Sequence, residues 1–166
     1  MRKIRADGGG SMRDARSLNL VHYSRRPLRR LWSTYGQEQP MTHEKPCGLW
    51  ASVDDNGDGW RDWCLAENFQ DESLICQTQL MLTEPDMVLT LSTEIQVVQF
   101  AHEYGTQTRF GHAIDWREVA KDYKGIIIAP YQWSLRLSER WYYLWDCASG
   151  CFWDISSIEV GKTFCS

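Results

Sequence analysis

The order of strand and helix patterns along the chain constrains its fold most. Apolar runs typical of strands outnumber helical patterns by about seven to three, and the two kinds do not alternate. A strict alternation would predict a doubly wound parallel sheet, whereas this mixed order favours the α+β class. The sequence therefore predicts an α+β fold with mixed, mainly antiparallel sheets and about three helices.

Hydrophobic periodicity places these elements along the chain. Alternating or continuous apolar runs predict strands at 19–24, 48–53, 74–82, 87–91, 125–130, 141–145 and 150–153. Apolar residues spaced three and four apart predict helices at 60–69 and 94–104, and Asp115 predicts the cap of a third helix that runs to Tyr123. Residues 28–45 show no sustained period, so we expect them to form mostly loop.

Length and charge limit what kind of protein this is. The chain has 166 residues, enough for about one domain with its own core. Its first eleven residues end in Asp7-Gly8-Gly9-Gly10-Ser11, which is typical of an artificial tag or linker placed before a natural start at Met12. We therefore expect a single domain over 12–166. The formal net charge of −4 argues against bulk electrostatic binding of nucleic acid but leaves room for a local basic patch.

The cysteines and the hydropathy pattern suggest a cellular compartment. The six cysteines are scattered and no secretory signal precedes them, so we expect reduced thiols, no disulfides and a cytoplasmic location. No apolar run approaches the ~20 residues that a transmembrane helix needs, so we expect a soluble protein.

Two strand patterns each bring a polar or aromatic side chain beside a small hydroxyl residue. In Leu20-Val21-His22-Tyr23-Ser24, the alternation of side chains places His22 on the same face as Ser24. In Gly48-Leu49-Trp50-Ala51-Ser52, it places Trp50 on the same face as Ser52. If the two strands are neighbours, an imidazole, a hydroxyl and an indole line one cleft. Such a cleft suits a ligand with ribose hydroxyls and a planar ring, and a nicotinamide dinucleotide has both.

These segments resemble motifs of the His-Tyr-Glu branch of the ADP-ribosyltransferase superfamily, which includes the poly(ADP-ribose) polymerases and bacterial DNA-targeting toxins. Val21-His22-Tyr23-Ser24 is similar to the His-x-Ser/Thr motif of the first strand, and 48–52 resembles Gly-aliphatic-Tyr-small with Trp50 in the place of Tyr. Residues 122–127 and 150–154 are similar to later segments of the family, in matching order. Where the family often has a catalytic Glu, this chain has Ser149 and Gly150, with Asp146 upstream.

The resemblance implies an ADP-ribosyltransferase-like fold and the transfer of ADP-ribose from NAD to a macromolecular acceptor, either protein or nucleic acid. It implies that His22 bonds the adenosine-side ribose, Trp50 stacks on nicotinamide and Asp146 stabilises an oxocarbenium-like sugar. The candidate catalytic residues are His22, Trp50 and Asp146. The candidate NAD-binding residues, with Arg25 beside the pyrophosphate, are His22, Tyr23, Ser24, Arg25, Trp50 and Ser52.

Other interpretations stay open. The same scaffold also suits a non-catalytic module that holds a nucleotide, a base or a partner's side chain, or an RNA 2′-phosphotransferase that uses NAD. Each candidate also has a structural interpretation: His22 and Trp50 as packing residues, Asp146 as a turn cap, and the basic run 25–30 as a solvated face. The loop 25–45 and the segment 131–140 are expected to select the acceptor, because both are irregular and rich in recognition side chains.

Two patterns resemble metal sites. Asp54-x-Asn56-x-Asp58-Gly59-x-x-Asp62 matches the first nine positions of an EF-hand loop, but Leu65 stands where a bidentate Glu is required. A polar turn after a strand explains the same residues, so we do not expect calcium at Asp54, Asn56, Asp58 and Asp62. Cys147-x-x-x-Cys151 has no second ligand pair at zinc-finger spacing, so we expect no metal there either.

Overall fold

A seven-stranded sheet runs through the computed structural model, which describes residues 15–31, 39–40, 45–69, 72–109 and 111–166. The predicted linker 1–11, the start at Met12 and much of the predicted loop 28–45 lie outside the described residues. In the described part, the strands are β1 Leu20–Ser24, β2 Leu49–Val53, β3 Cys76–Leu82, β4 Val88–Leu91, β5 Gly105–Thr108, β6 Gly111–Ile114, β7 Gly125–Ile128, β8 Ser149–Phe152 and β9 Ile158–Cys165. The α-helices described are α1 Trp60–Ala66, α2 Glu94–Tyr104, α3 Trp116–Asp122 and α4 Arg140–Tyr143.

The strand order confirms the predicted fold class. The large sheet has the order β4-β7-β8-β2-β1-β3-β9, and β5 pairs with β6 in a separate hairpin. All neighbouring strands are antiparallel except β4 and β7, which run parallel. The protein is therefore α+β with a mixed, mostly antiparallel sheet.

The helices start where local chemistry favours a start. The Thr93 side chain accepts a hydrogen bond from the Gln96 backbone, and the Gln96 side chain bonds back to the backbone of Thr93, forming a capping box before α2. Asp115 accepts from the backbone N–H of Arg117 and caps α3 as predicted. These two helices pack large side chains such as Phe100 into the same core as the sheet.

Pairing between β1 and β2 stops early, and this opens the sheet. Strand β1 pairs with β3 along all of its residues, from Leu20 to Ser24. It pairs with β2 only at Leu20 opposite Val53 and at Val21 opposite Ser52. The strands therefore separate beyond Val21, at the end that carries His22 and Trp50.

One prediction of secondary structure was wrong, and three strands were missed. The stretch 141–145 was expected to be a strand, but it holds α4, in which Trp141 and Tyr142 are buried in the core. Aromatic residues favour strands mainly because they fit a half-buried surface, and here a helix buries them. The hairpin of β5 and β6 and the last strand, β9, were not predicted at all.

The prediction of no disulfides was also wrong. Cys76 and Cys165 form a disulfide, and they stand directly opposite each other in the register of β3 and β9. Since β9 was not predicted, nothing in the sequence placed Cys165 against Cys76. Because disulfides persist mainly in oxidising environments, the cysteines no longer support the prediction of a reducing compartment. Among the described residues, no helix has the length and apolarity needed to cross a bilayer.

Candidate functional site

A cavity of about 270 Å³ lies where β1 and β2 separate. It is formed by both strands, by the turn before β8 and by residues near α1. Its lining residues are Val21, His22, Tyr23, Lys45, Trp50, Ala51, Ser52, Trp60, Ser73, Asp146, Cys147 and Ser149. The structure thus brings together His22, Trp50 and Asp146, the candidate catalytic residues of the sequence.

His22 bridges the gap between the two strands. The register places its side chain on the face of Ala51, opposite to the face of Trp50 and Ser52. Its Nδ1 lies 2.8 Å from the backbone carbonyl oxygen of Trp50. Because a carbonyl only accepts, Nδ1 carries the proton and donates, which leaves Nε2 as an acceptor in the neutral ring. The imidazole N–H therefore bonds to the Trp50 carbonyl in place of a backbone N–H of β1, because β1 and β2 no longer pair at this point.

The indole of Trp50 contacts both a cation and another indole. Lys45 Nζ lies over the ring, 5.1 Å from its centroid. The centroid of the Trp145 ring lies 4.8 Å away at an interplanar angle of 64°, an edge-to-face arrangement. Trp50 is thus held by Trp145 and offers a face on which a positive charge is stabilised.

Asp146 lies between two cations in the turn before β8. Its Oδ2 is 3.9 Å from Lys45 Nζ, and its Oδ1 is 3.8 Å from a terminal nitrogen of Arg136. Both distances exceed those of direct hydrogen bonds, so the pairs are loose. The Asp146 side chain is 30% exposed. Its carboxylate is therefore held near the cavity by charge without being fixed by short contacts.

Tyr23 and Ser52 line the cavity, but their hydroxyls donate hydrogen bonds to another side chain of the protein. Tyr23 donates a hydrogen bond of 2.6 Å to Asp54, and Ser52 also donates to Asp54. The Ser52 hydroxyl accepts from the backbone N–H of Trp60 at 2.7 Å, which ties the start of α1 to the sheet. Burial, together with the bond to Asp54, raises the pKa of Tyr23, so its hydroxyl stays protonated.

Two predicted NAD-binding residues do not line the cavity. The Ser24 hydroxyl donates to the backbone carbonyl of Arg26 at 2.7 Å. Arg25 pairs with Glu72 at 2.7 Å, and both side chains are about 70% exposed, at 71% and 70%. The structure therefore does not bring Ser24 or Arg25 together with His22 and Trp50.

Sequence reasoning missed several cavity residues, of which Lys45 and Cys147 matter most. Lys45 comes from a segment without periodicity, so no sequence signal places it over Trp50. Burial, together with the nearby charge of Asp146, raises the pKa of the Cys147 thiol to about 12. Cys147 therefore remains a neutral thiol at pH 7 and is not an activated nucleophile.

The carboxylates of the EF-hand-like turn are used to tie segments together. Asp54 accepts from Tyr23, Asp55 accepts from the backbone N–H of Asn19, and Asp58 accepts from the backbone N–H of Tyr131. Within the described part of the chain, no group of three or more His, Cys, Asp or Glu residues is arranged to hold a metal ion.

Comparison of the chain with protein-family models, with curated proteins and with solved structures found no match. The function therefore has to be inferred from the geometry of the cavity and from the motifs that the sequence carries.

Proposed function

We propose that the cavity binds the nicotinamide riboside end of NAD, and that the protein is an ADP-ribosyltransferase-like enzyme that transfers ADP-ribose to a macromolecular acceptor. One observation carries this proposal: a cation lies over the Trp50 indole and beside the Asp146 carboxylate. The pyridinium ring of NAD is a flat cation, so it suits the position that the Lys45 ammonium occupies.

The size of the cavity supports one end of NAD rather than the whole molecule. Its volume, about 270 Å³, is just below the roughly 300–1,000 Å³ typical of small-molecule sites. A nucleoside-sized group fits that volume, and the rest of the dinucleotide would extend outside it.

The chemistry needs one carboxylate near the ribose. The bond between the nicotinamide nitrogen and ribose C1 breaks, its electron pair leaves on nitrogen, and the positive charge passes from the ring to the sugar. Asp146 stabilises that charge by a Coulomb attraction, as carboxylates do in glycosyl transfer. The acceptor's nucleophile then bonds to C1 and releases its proton to solvent. His22 Nε2 is free to accept a hydrogen bond from a ribose hydroxyl while Nδ1 donates to Trp50.

A second candidate is a non-catalytic module that binds NAD or ADP-ribose in the same cavity. The observation that favours it is the charge balance of Asp146, which two cations partly neutralise. Ser149, at the start of β8, supplies no carboxylate in its place. An RNA 2′-phosphotransferase gains no support, because Arg25 pairs with Glu72 away from the cavity.

Calorimetry with NAD and an assay of nicotinamide release test the proposal. We expect NAD to bind, and Trp50→Leu to weaken binding about fivefold, because a cation–π contact contributes roughly 1 kcal/mol. Trp133→Leu is the matched control, since this exposed tryptophan lies outside the cavity lining. Asp146→Asn is expected to lower turnover roughly a hundredfold while changing affinity far less. Binding without turnover in the wild type indicates the second candidate, and no NAD binding refutes both.

A further inference from the structure

The disulfide lies beside a wall of the cavity. Cys76 is the first residue of β3 and directly follows the short 3₁₀ helix Glu72–Ile75. We call Glu72–Ile75 the wall turn, because its Ser73 lines the cavity. On its other side β3 pairs with β1, and Cys76 stands opposite Ser24. The disulfide therefore lies where the wall turn meets the sheet, next to the strand that carries His22.

The end of β9 is hydrogen-bonded to the wall turn. Cys165 is the last residue of β9, which is an edge strand of the large sheet. The backbone N–H of the next residue, Ser166, donates to the carbonyl oxygen of Ile75 at 3.0 Å. The Ser166 hydroxyl donates to the same oxygen at 3.4 Å. Because the disulfide fixes the end of β9, it also keeps Ser166 in place against the wall turn.

Little apolar burial holds the wall turn. None of its four residues is buried, and Ile75 is 42% exposed. Glu72 pairs with Arg25, which follows β1, but both side chains are largely exposed. Exposed ion pairs of this kind contribute little to stability. The position of the wall turn therefore depends strongly on the covalent link at Cys76.

The two sulfurs of the disulfide differ in access. Cys76 is 2% exposed, whereas Cys165 is exposed on the edge strand. The other four cysteines, all within the described part of the chain, remain thiols: Cys47, Cys64, Cys147 and Cys151. One disulfide among four thiols differs from the fully paired frameworks of small secreted domains. Exposed disulfides are the ones that thiols reduce most readily, so these observations favour a link that is made and broken.

We propose that the Cys76–Cys165 disulfide is a redox switch that regulates the binding of NAD in the cavity. A thiolate of a dithiol reductant attacks the exposed Cys165 sulfur, the S–S bond breaks, and Cys76 leaves as a thiolate that takes up a proton. The second thiol of the reductant then attacks the mixed disulfide, and Cys165 leaves. Two electrons pass to the protein, which gains two thiols, and the reductant becomes a disulfide.

Reduction releases the end of β9 and loosens the wall turn, while the rest of the sheet stays paired. The pairs from Thr78 opposite Thr163 to Leu82 opposite Ile158 do not depend on the disulfide. A ligand in the cavity then has to order backbone that the oxidised protein already holds in place, which lowers its affinity. The effect on NAD rests on the proposed function, whereas the release of the wall turn does not.

Alkylation and hydrogen exchange, both followed by mass spectrometry, test the switch without NAD. Under native conditions, dithiothreitol should make Cys165 reactive toward iodoacetamide, while the buried Cys151 stays unmodified. Amide exchange in residues 72–76 should then become roughly tenfold faster or more, with exchange in β7 unchanged. If the disulfide is reduced only after denaturant is added, or if reduction leaves exchange in the wall turn unchanged, the proposal is refuted.

Calorimetry compares the NAD affinity of the oxidised and the reduced protein. Reduction should weaken NAD binding at least about fivefold, since binding then includes the ordering of the wall turn. Cys165→Ser should bind NAD like the reduced wild type, with or without dithiothreitol. Cys47→Ser removes an exposed thiol outside the disulfide and should keep the full response.

The outcomes separate this proposal from the proposed function. Equal NAD affinity in the two redox states refutes the switch and leaves the proposed function intact. Absence of NAD binding in both states refutes the proposed function and with it the regulation of NAD, whereas the exchange data still show whether reduction releases the wall turn.

Discussion

Replacing Lys45 with alanine should strengthen the binding of NAD. Lys45 Nζ lies over the Trp50 ring, 5.1 Å from its centroid, and 3.9 Å from Asp146. A pyridinium ring has to displace it from both partners. An exposed cation–π contact contributes about 0.5–1 kcal/mol and an exposed ion pair about 0.2–1 kcal/mol. The sum, about 0.7–2 kcal/mol, corresponds to an affinity gain of about three- to thirtyfold.

Isothermal titration calorimetry measures this gain. Lys45→Arg keeps the cation over Trp50 and should bind NAD like the wild type, and Lys121→Ala controls for the loss of a surface charge on α3. ADP-ribose lacks the pyridinium, so its affinity should rise less than that of NAD in Lys45→Ala. If Lys45→Ala binds NAD more weakly than the wild type, Lys45 is itself a ligand-binding group. That result refutes the inference that the pyridinium ring takes the place of the Lys45 ammonium.

The other predictions concern stability, measured by chemical denaturation. The double variant Cys76→Ser/Cys165→Ser should lower the free energy of unfolding by up to about 4–5 kcal/mol, because the disulfide closes a loop across a sequence separation of 89. If the variant and the wild type have the same denaturation midpoint under non-reducing conditions, the disulfide is contradicted. Partial burial raises the pKa of Asp154, but hydrogen bonds within the turn and the charge of Lys124 outweigh it and hold that pKa below its usual range. The stabilisation from the ionised Asp154 is therefore present above about pH 4 and is lost as pH falls further. The difference in unfolding free energy between wild type and Asp154→Asn should therefore shrink on acidification. A difference that stays constant with pH argues against this. Thr93→Ala should cost about 1 kcal/mol through the loss of the α2 cap, and Thr93→Ser should recover most of it.

The elements predicted best are those whose limits depend on local chemistry. The predicted helix 94–104 coincides with α2, because Thr93 caps its start. The strand predicted at 125–130 from its continuous apolar sequence is β7, Gly125–Ile128. In such segments, the side chains that define the element are adjacent in sequence, so periodicity and capping suffice to find it.

The elements that were missed depend on distant partners. β5, the sequence Gly105–Thr108, is polar and partly exposed, and pairing with β6 stabilises it. β9 gains its place from β3 and from the disulfide to Cys76. α4 forms where aromatic residues that also suit a strand are buried against the rest of the core. None of these stabilising contacts is visible within the segment itself.

The same division applies to the candidate site. His22 and Trp50 were selected from strand alternation, and both line one cavity, although the register places them on opposite faces of the sheet. The sequence did not show that β1 and β2 stop pairing after Val21, and this separation opens the cavity. Lys45 and Arg136 lie in irregular segments, so their approach to Asp146 depends on the whole fold.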